Sequence, residues 1–290
     1  MAPAFGRSIS FPLSPARSSK PRAAAARHVR SVSLPSSRAH PLLAHLHNTT
    51  RAVRAWAADP TSPSTGLAHL DALHAALAEF LLLPEAHAAL RSGSATADCL
   101  LDGFLALADA HGAFQEAVLD LKRHAADAQA ALRRRDAARL ASAVRAQRHA
   151  EKDLARLASS VRNAAKFPQL AGSSATLAEV EVSGVLAEAV AAIASASAAV
   201  FSAVESVSSA ATTAVASSSK KPASLISLVT RSSKAAAASS DEDKEMAALD
   251  RLEGLDECIA NMEAGSDKVF RSILQTRVAL LNIHTQTLLI

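Results

Sequence analysis

The residues best suited to covalent chemistry lie near the start of the chain: Arg7, Ser10 and Pro12 in the run RSISFP, and Arg30, Ser33 and Pro35 in the run RSVSLP. The pattern R-S-x-S-x-P therefore occurs twice, 23 residues apart. An arginine three residues before a serine suits a basophilic kinase, which would put a phosphate of nearly two negative charges on the hydroxyl. A phosphoserine followed two residues later by proline resembles the ligands of 14-3-3 proteins, in which an arginine cluster takes the phosphate and proline turns the chain out of the groove. Two such motifs on one tail suit the two grooves of a dimer, because linkage raises the effective concentration of the second motif.

A second group is basic. Arg133, Arg134, Arg135 and Arg139, with Arg145 and Arg148 further on, form a cluster that could meet an acidic partner or a phosphorylated lipid headgroup. The structural alternative is that arginines at a helix C-terminus complement its dipole and solvate a helical hairpin. No aromatic residues interleave with these charges, as they do in single-strand binders, so no nucleic-acid partner is expected.

Other chemistry is thin. The sequence holds no GxxxxGK[ST] phosphate loop, no GxGxxG, no HExxH and no GxSxG. His45 and His47 stand two apart and face different ways, while His69 and His74 stand five apart, so neither pair has the spacing of metal ligands on a helix. His111 falls on an apolar seam. Cys99 and Cys258 have no partner at ligand spacing and read as small packing residues in a reducing compartment. The expectation is a protein without catalytic residues, metal or cofactor.

The elements that must carry these groups are helices. From Leu252 the residues Leu255, Ile259, Met262, Ser266, Val269, Ile273, Thr276, Leu280 and Ile283 follow at alternating steps of three and four, which stacks them in one stripe. Leu100, Phe104, Leu107, His111, Phe114, Val118, Leu121, Ala125, Ala128 and Leu132 do the same over about 50 Å of helix. Asp136 is placed to cap a following helix with Leu140, Val144, Leu154, Leu157 and Val161 on its stripe, interrupted by Gln147 and Glu151. Earlier, a helix up to about Trp56 and a second carrying Leu67 to Leu81 are separated by DPTSPSTG, and Pro84 ends the second. Thr176 with Glu179 resembles a capping box opening an Ala/Val/Ser-rich segment to about Ser217. Ser240, followed by acidic residues 241 to 243, is expected to start the last helix.

Composition agrees with this reading. The chain is 49% hydrophobic, mostly Ala, Val and Leu, with eight Phe, one Trp, no Tyr and nine Gly, which argues against a sheet-rich fold. The fold expected is all-α, an elongated bundle of long antiparallel helices at about 100 to 132, 137 to 165 and 242 to 285. Residues 41–290 form the bundle domain, 217–240 an internal flexible linker, and 1–40 a disordered Ser/Arg/Pro tail. That tail carries seven basic and no acidic residues, leaving 24 basic and 27 acidic side chains in a nearly neutral body. Its composition also matches a chloroplast-type import address. The stretch Val182 to Val204 is long enough for a membrane span, but Glu188 lies within it and its Ala and Ser residues contribute little transfer free energy. A cytoplasmic protein is expected, with organelle import and membrane association as alternatives.

Several blocks together resemble the plant-specific BYPASS-like family: HVRSVSLPSSRAHPL (His28 to Leu42), FLLLPEAHAAL (Phe80 to Leu90), LLDGFLALADAHGAFQEAVLDLK (Leu100 to Lys122), ALRRRD (Ala131 to Asp136) and LDECIANMEAGSDKVFRSILQTRVALLNIHT (Leu255 to Thr285). The resemblance implies a helical, non-enzymatic plant protein linked to root and shoot development, with no established ligand residues to transfer. The chain departs from the pattern in residues 1–27, which precede the family's usual start, and in its Ala/Ser-rich linker.

Overall fold

Proline opens each of the first three helices. α1 runs Pro41–Ala58, α2 Pro63–Phe80 and α3 Pro84–Ser92. At the first helical position the missing N–H costs nothing and the fixed φ is already helical. Pro84 therefore separates α2 from α3, and the two helices are bent by 85°. The sequence reading missed α3, taking Pro84 as a stop without a restart. Four long helices follow: α4 Ser94–Arg133, α5 Ala137–Ala164, α6 Leu177–Ser218 and α7 Ser233–Thr285. The computed structural model describes residues 41–92, 94–164, 177–218 and 233–285, and among them there are seven helices and no strand. The fold is all-α.

Both seams read from the sequence are buried in full. All ten stripe residues of α7 and all ten of α4 lie in the core, the polar Ser266, Thr276 and His111 included. α4 is longer than expected, 40 residues or about 60 Å. Two details differ. α7 begins at Ser233 rather than Ser240, since the run KAAAA has the highest helix propensity available and carries the helix into the expected linker. Gln147 and Glu151 do not interrupt the α5 stripe but belong to it, at 0% and 8% exposure, because hydroxyls on α6 bond the Gln147 Nε2 and the Glu151 carboxylate.

Pairs of touching residues give the helix directions. Asp98 meets His284, Gly112 faces Phe270 and Lys122 meets Glu263, so α4 and α7 run antiparallel. His111 bonds Ser197 and Phe114 stacks on Phe201, so α4 and α6 run parallel. With α5 packed on α4 and α6, and α7 closing the ring against the same two, the long helices make a four-membered bundle. The α1–α2 hairpin covers its α6 and α7 side, and α3 packs on α4, α6 and α7. Gly66 sets the approach of α1 to α2: a Cβ there would lie 2.2 Å from Cη2 of Trp56.

Leu107 and Ile273 sit mid-seam at 1% and 0% exposure. Each buried aliphatic side chain contributes on the order of 1.5 to 3 kcal/mol, and a buried unpaired charge costs several more. Leu107→Asp or Ile273→Asp is expected to abolish cooperative unfolding. Either variant melting like the parent by circular dichroism would contradict the seam assignment.

Candidate functional site

The chemistry-bearing side chains of the helical domain divide into a buried set and an exposed set. In the buried set, His74 on α2 sits with Nδ1 3.2 Å from Thr276 Oγ1 on α7. That hydroxyl donates to the Ser272 carbonyl at 2.8 Å, so it accepts from His74, which fixes the proton on Nδ1. Nε2 is left as an unpaired acceptor. His111 on α4 contacts Ser197 Oγ on α6 at 2.9 Å through Nε2, and its ring lies edge-on to Phe201 at 5.2 Å. Burial pushes both imidazoles down, His74 to about 4 against the weaker pull of Asp71, and His111 to about 3 with a further contribution from His74. Both are neutral at neutral pH and out of reach of a substrate.

A second buried group joins α5 to α6. The Glu151 carboxylate accepts from Ser208 Oγ at 2.8 Å and from Thr212 Oγ1 at 2.5 Å, while Gln147 Nε2 donates to Ser208 Oγ at 3.1 Å. Serine beside a carboxylate would suggest an activated nucleophile, but Ser208 is fully buried and its proton is already committed. This is a polar clamp between helices. Among the described residues no three His, Cys, Asp or Glu side chains converge on a metal position. Cys99 and Cys258 are free and half-buried, and burial pushes the Cys258 thiol up, away from reactivity.

The exposed set is basic. Just beyond the end of α4, Arg135 lies in the left-handed region at φ 54°, its N–H bonded to Leu132 O at 2.9 Å, and the Asp136 N–H bonds Ala131 O at 3.0 Å. This is a helix stop that usually takes glycine. Asp136 then caps α5 as expected, accepting from the N–H groups of Ala138 and Arg139 at 3.1 and 3.0 Å. Within the expected acidic-partner patch, Arg135 lies 3.8 Å from Glu245 and Arg139 lies 3.6 Å from Asp136, while Arg133 and Arg134 are exposed. The sequence reading included Arg145 and Arg148 but missed the continuation down α5 to Lys152 and Arg156. Arg145, Arg148, His149, Lys152, Ala155 and Arg156 lie together on its open outer face. The steps of three and four between Arg145, Arg148, Lys152 and Arg156 were the available signal. Arg7, Ser10, Pro12, Arg30, Ser33 and Pro35 lie outside the described residues.

α6 contains the apolar stretch Val182 to Val204. Its residues Val180–Ser218 are long and apolar enough to cross a bilayer, yet 67% of the most apolar window is buried within the bundle. The six other helices all pack against it.

The model of the family described as Protein BPS1 matches residues 66–283, from α2 to the last turn of α7. The chain belongs to that family. The match takes in the resemblance blocks from Phe80 onward, nearly to the end of the last, and leaves the block His28 to Leu42 outside it; membership in the BPS1 family fits a plant regulatory protein. The match leaves out α1 and the tail motifs. No curated protein and no solved structure matches the chain.

The buried imidazoles make stability depend on pH. Their folded pKa values lie below the usual 6.5, so between about pH 6.5 and about pH 4 the unfolded chain binds protons that the folded chain does not. Stability is full above about pH 6.5 and falls as pH drops, by on the order of 2 to 3 kcal/mol per histidine at about pH 4.5. Urea melts at about pH 7.5 and about pH 4.5 check this. The unfolding free energy should fall, and His74→Asn should flatten the dependence by roughly half. An unfolding free energy that does not change over this range would contradict the buried neutral assignment.

Proposed function

We propose that this BPS1-family protein is a non-enzymatic regulatory protein of plant root and shoot development, acting from the cytoplasm through protein partners. In this reading the helical domain is a scaffold and the basic tail is the regulated element. The observation that carries it is the repeated R-S-x-S-x-P pattern at Ser10 and Ser33, in a tail of seven basic residues without a single acid. Phosphorylation converts each motif from cationic to mixed charge and creates a ligand for an arginine cluster. The non-enzymatic part rests on how the domain uses its polar groups: hydroxyls, imidazoles and the buried carboxylate are committed to helix–helix contacts.

The partner proposed for the tail is a 14-3-3 dimer, whose paired grooves suit a doubly phosphorylated segment. The Ser/Arg/Ala composition of the tail supports a second reading, an organelle import address. Sequencing the mature N-terminus from native tissue separates the two, since import would remove the first motif or both.

Peptides spanning residues 5 to 37 test the docking reading by calorimetry against a 14-3-3 dimer. The unmodified peptide should not bind, each single phosphopeptide should bind weakly, and the double one should bind about a hundredfold tighter or more. Equal binding with and without phosphate would remove the proposal.

A further inference from the structure

The nearly neutral charge of the folded part hides a separation. Residues 133–162, which cover the α4–α5 turn and most of α5, hold nine basic and three acidic side chains, whereas residues 233–285 of α7 hold ten acidic and six basic. In the bundle ring α4 and α6 both lie between these helices. Among the described helices, the basic side is also the one that α1, α2 and α3 leave uncovered. α1, α2 and α3 pack on α4, α6 and α7, while α5 packs on α4 and α6 and presents Arg145, Arg148, Lys152 and Arg156 to solvent.

These cations are poorly neutralised from within. Asp153 is shared between His149 and Arg156. Among the described residues no carboxylate pairs with Arg145, Arg148 or Lys152. The one other acid on this stretch of α5, Glu151, points inward to Ser208 and Thr212. Arg145 and Arg156 are separated by about 16 Å of helix rise, so the charges form a straight ridge rather than a converging pocket.

We propose that this ridge is a contact surface for an anionic phospholipid bilayer, with the domain lying on the membrane through α5. The absence of apolar anchors decides the class of partner. The large exposed apolar side chains, Leu82, Leu105, Leu119, Met246, Leu274 and Val278 among them, lie on other parts of the domain, and the ridge is interleaved with Ala and Ser. A specific protein interface is built around buried aromatic or aliphatic hot spots, which this face does not offer. A bilayer surface asks only for a row of cations facing its phosphates, each adding on the order of a few-fold to binding at physiological salt. This inference is independent of the tail reading, but the tail is also basic, so the experiment must separate them.

The test uses the full chain with the seven basic tail residues changed to Gln, and a second version carrying Arg145→Gln, Arg148→Gln and Lys152→Gln as well. Co-sedimentation is measured with vesicles of phosphatidylcholine alone, or mixed with phosphatidylserine or with a phosphorylated phosphatidylinositol. The tail-neutral chain should bind both anionic vesicles and not phosphatidylcholine, and should lose binding in high salt. The triple change should weaken binding at least tenfold while leaving the thermal melt unchanged, and Arg145→Lys with Arg148→Lys should retain it. Free inositol polyphosphate competing at stoichiometric amounts would replace the bilayer with a soluble phosphate ligand and overturn the proposal. Equal partitioning of the tail-neutral chain and the triple variant would also overturn it. So would failure to bind anionic vesicles combined with binding to polyglutamate or to a second copy of the chain.

Discussion

Every other helix of the domain rests on α6, and that single constraint organises the rest. A helix touched by six neighbours must be apolar over most of its surface and small enough for them to approach. Ala189, Ala192, Ala194, Ala196 and Ala198 are fully or almost fully buried, with Val190, Ile193, Val200, Phe201 and Val204 filling the gaps between helices. The same composition explains the resemblance to a membrane span: hydropathy records what a helix is made of, not whether lipid or protein surrounds it. The four long helices then form a ring whose energy is distributed along seams rather than gathered around a cavity.

Alanine-rich contacts distinguish one register from another poorly by shape, and the buried polar groups supply the missing information. His74 with Thr276 ties α2 to α7, His111 with Ser197 ties α4 to α6, and Glu151 with Ser208 and Thr212 ties α5 to α6. Each makes its cross-helix bond in one alignment of its helices, and a slip would leave further buried polar atoms without a partner, beyond His74 Nε2 and His111 Nδ1. These are the residue types that catalysis uses, spent here on alignment. Among the described residues the solvent-facing charged groups lie outside the core, with the densest basic run on the outer face of α5.

How much of this could be read from the sequence depended on whether a residue's environment left a period behind. The stripes of α4 and α7 run along buried faces, so every residue at their steps of three and four is in the core, although α4 also buries Leu101, Ala108 and Ala117 beside its stripe. α6 buries nearly all faces between Ala189 and Val204 and leaves no stripe, so its small side chains point to a tightly packed helix but not to which neighbours meet on it. Gln147 and Glu151 looked like breaks because their partners lie some sixty residues away, at Ser208 and Thr212. The arginine run 133–135 was conspicuous as a block, yet Arg135 terminates a helix and pairs with Glu245. The open ridge of Arg145, Arg148, Lys152 and Arg156 was harder to read, since only the packing of α5 shows which face stays bare.

Native-state hydrogen exchange, resolved by residue, tests the central role of α6 most directly. The amides of residues 189–204 are expected to exchange last and only through global unfolding, with α1 and α3 opening earlier. Exchange of these α6 amides ahead of α1 or α3 would contradict the account.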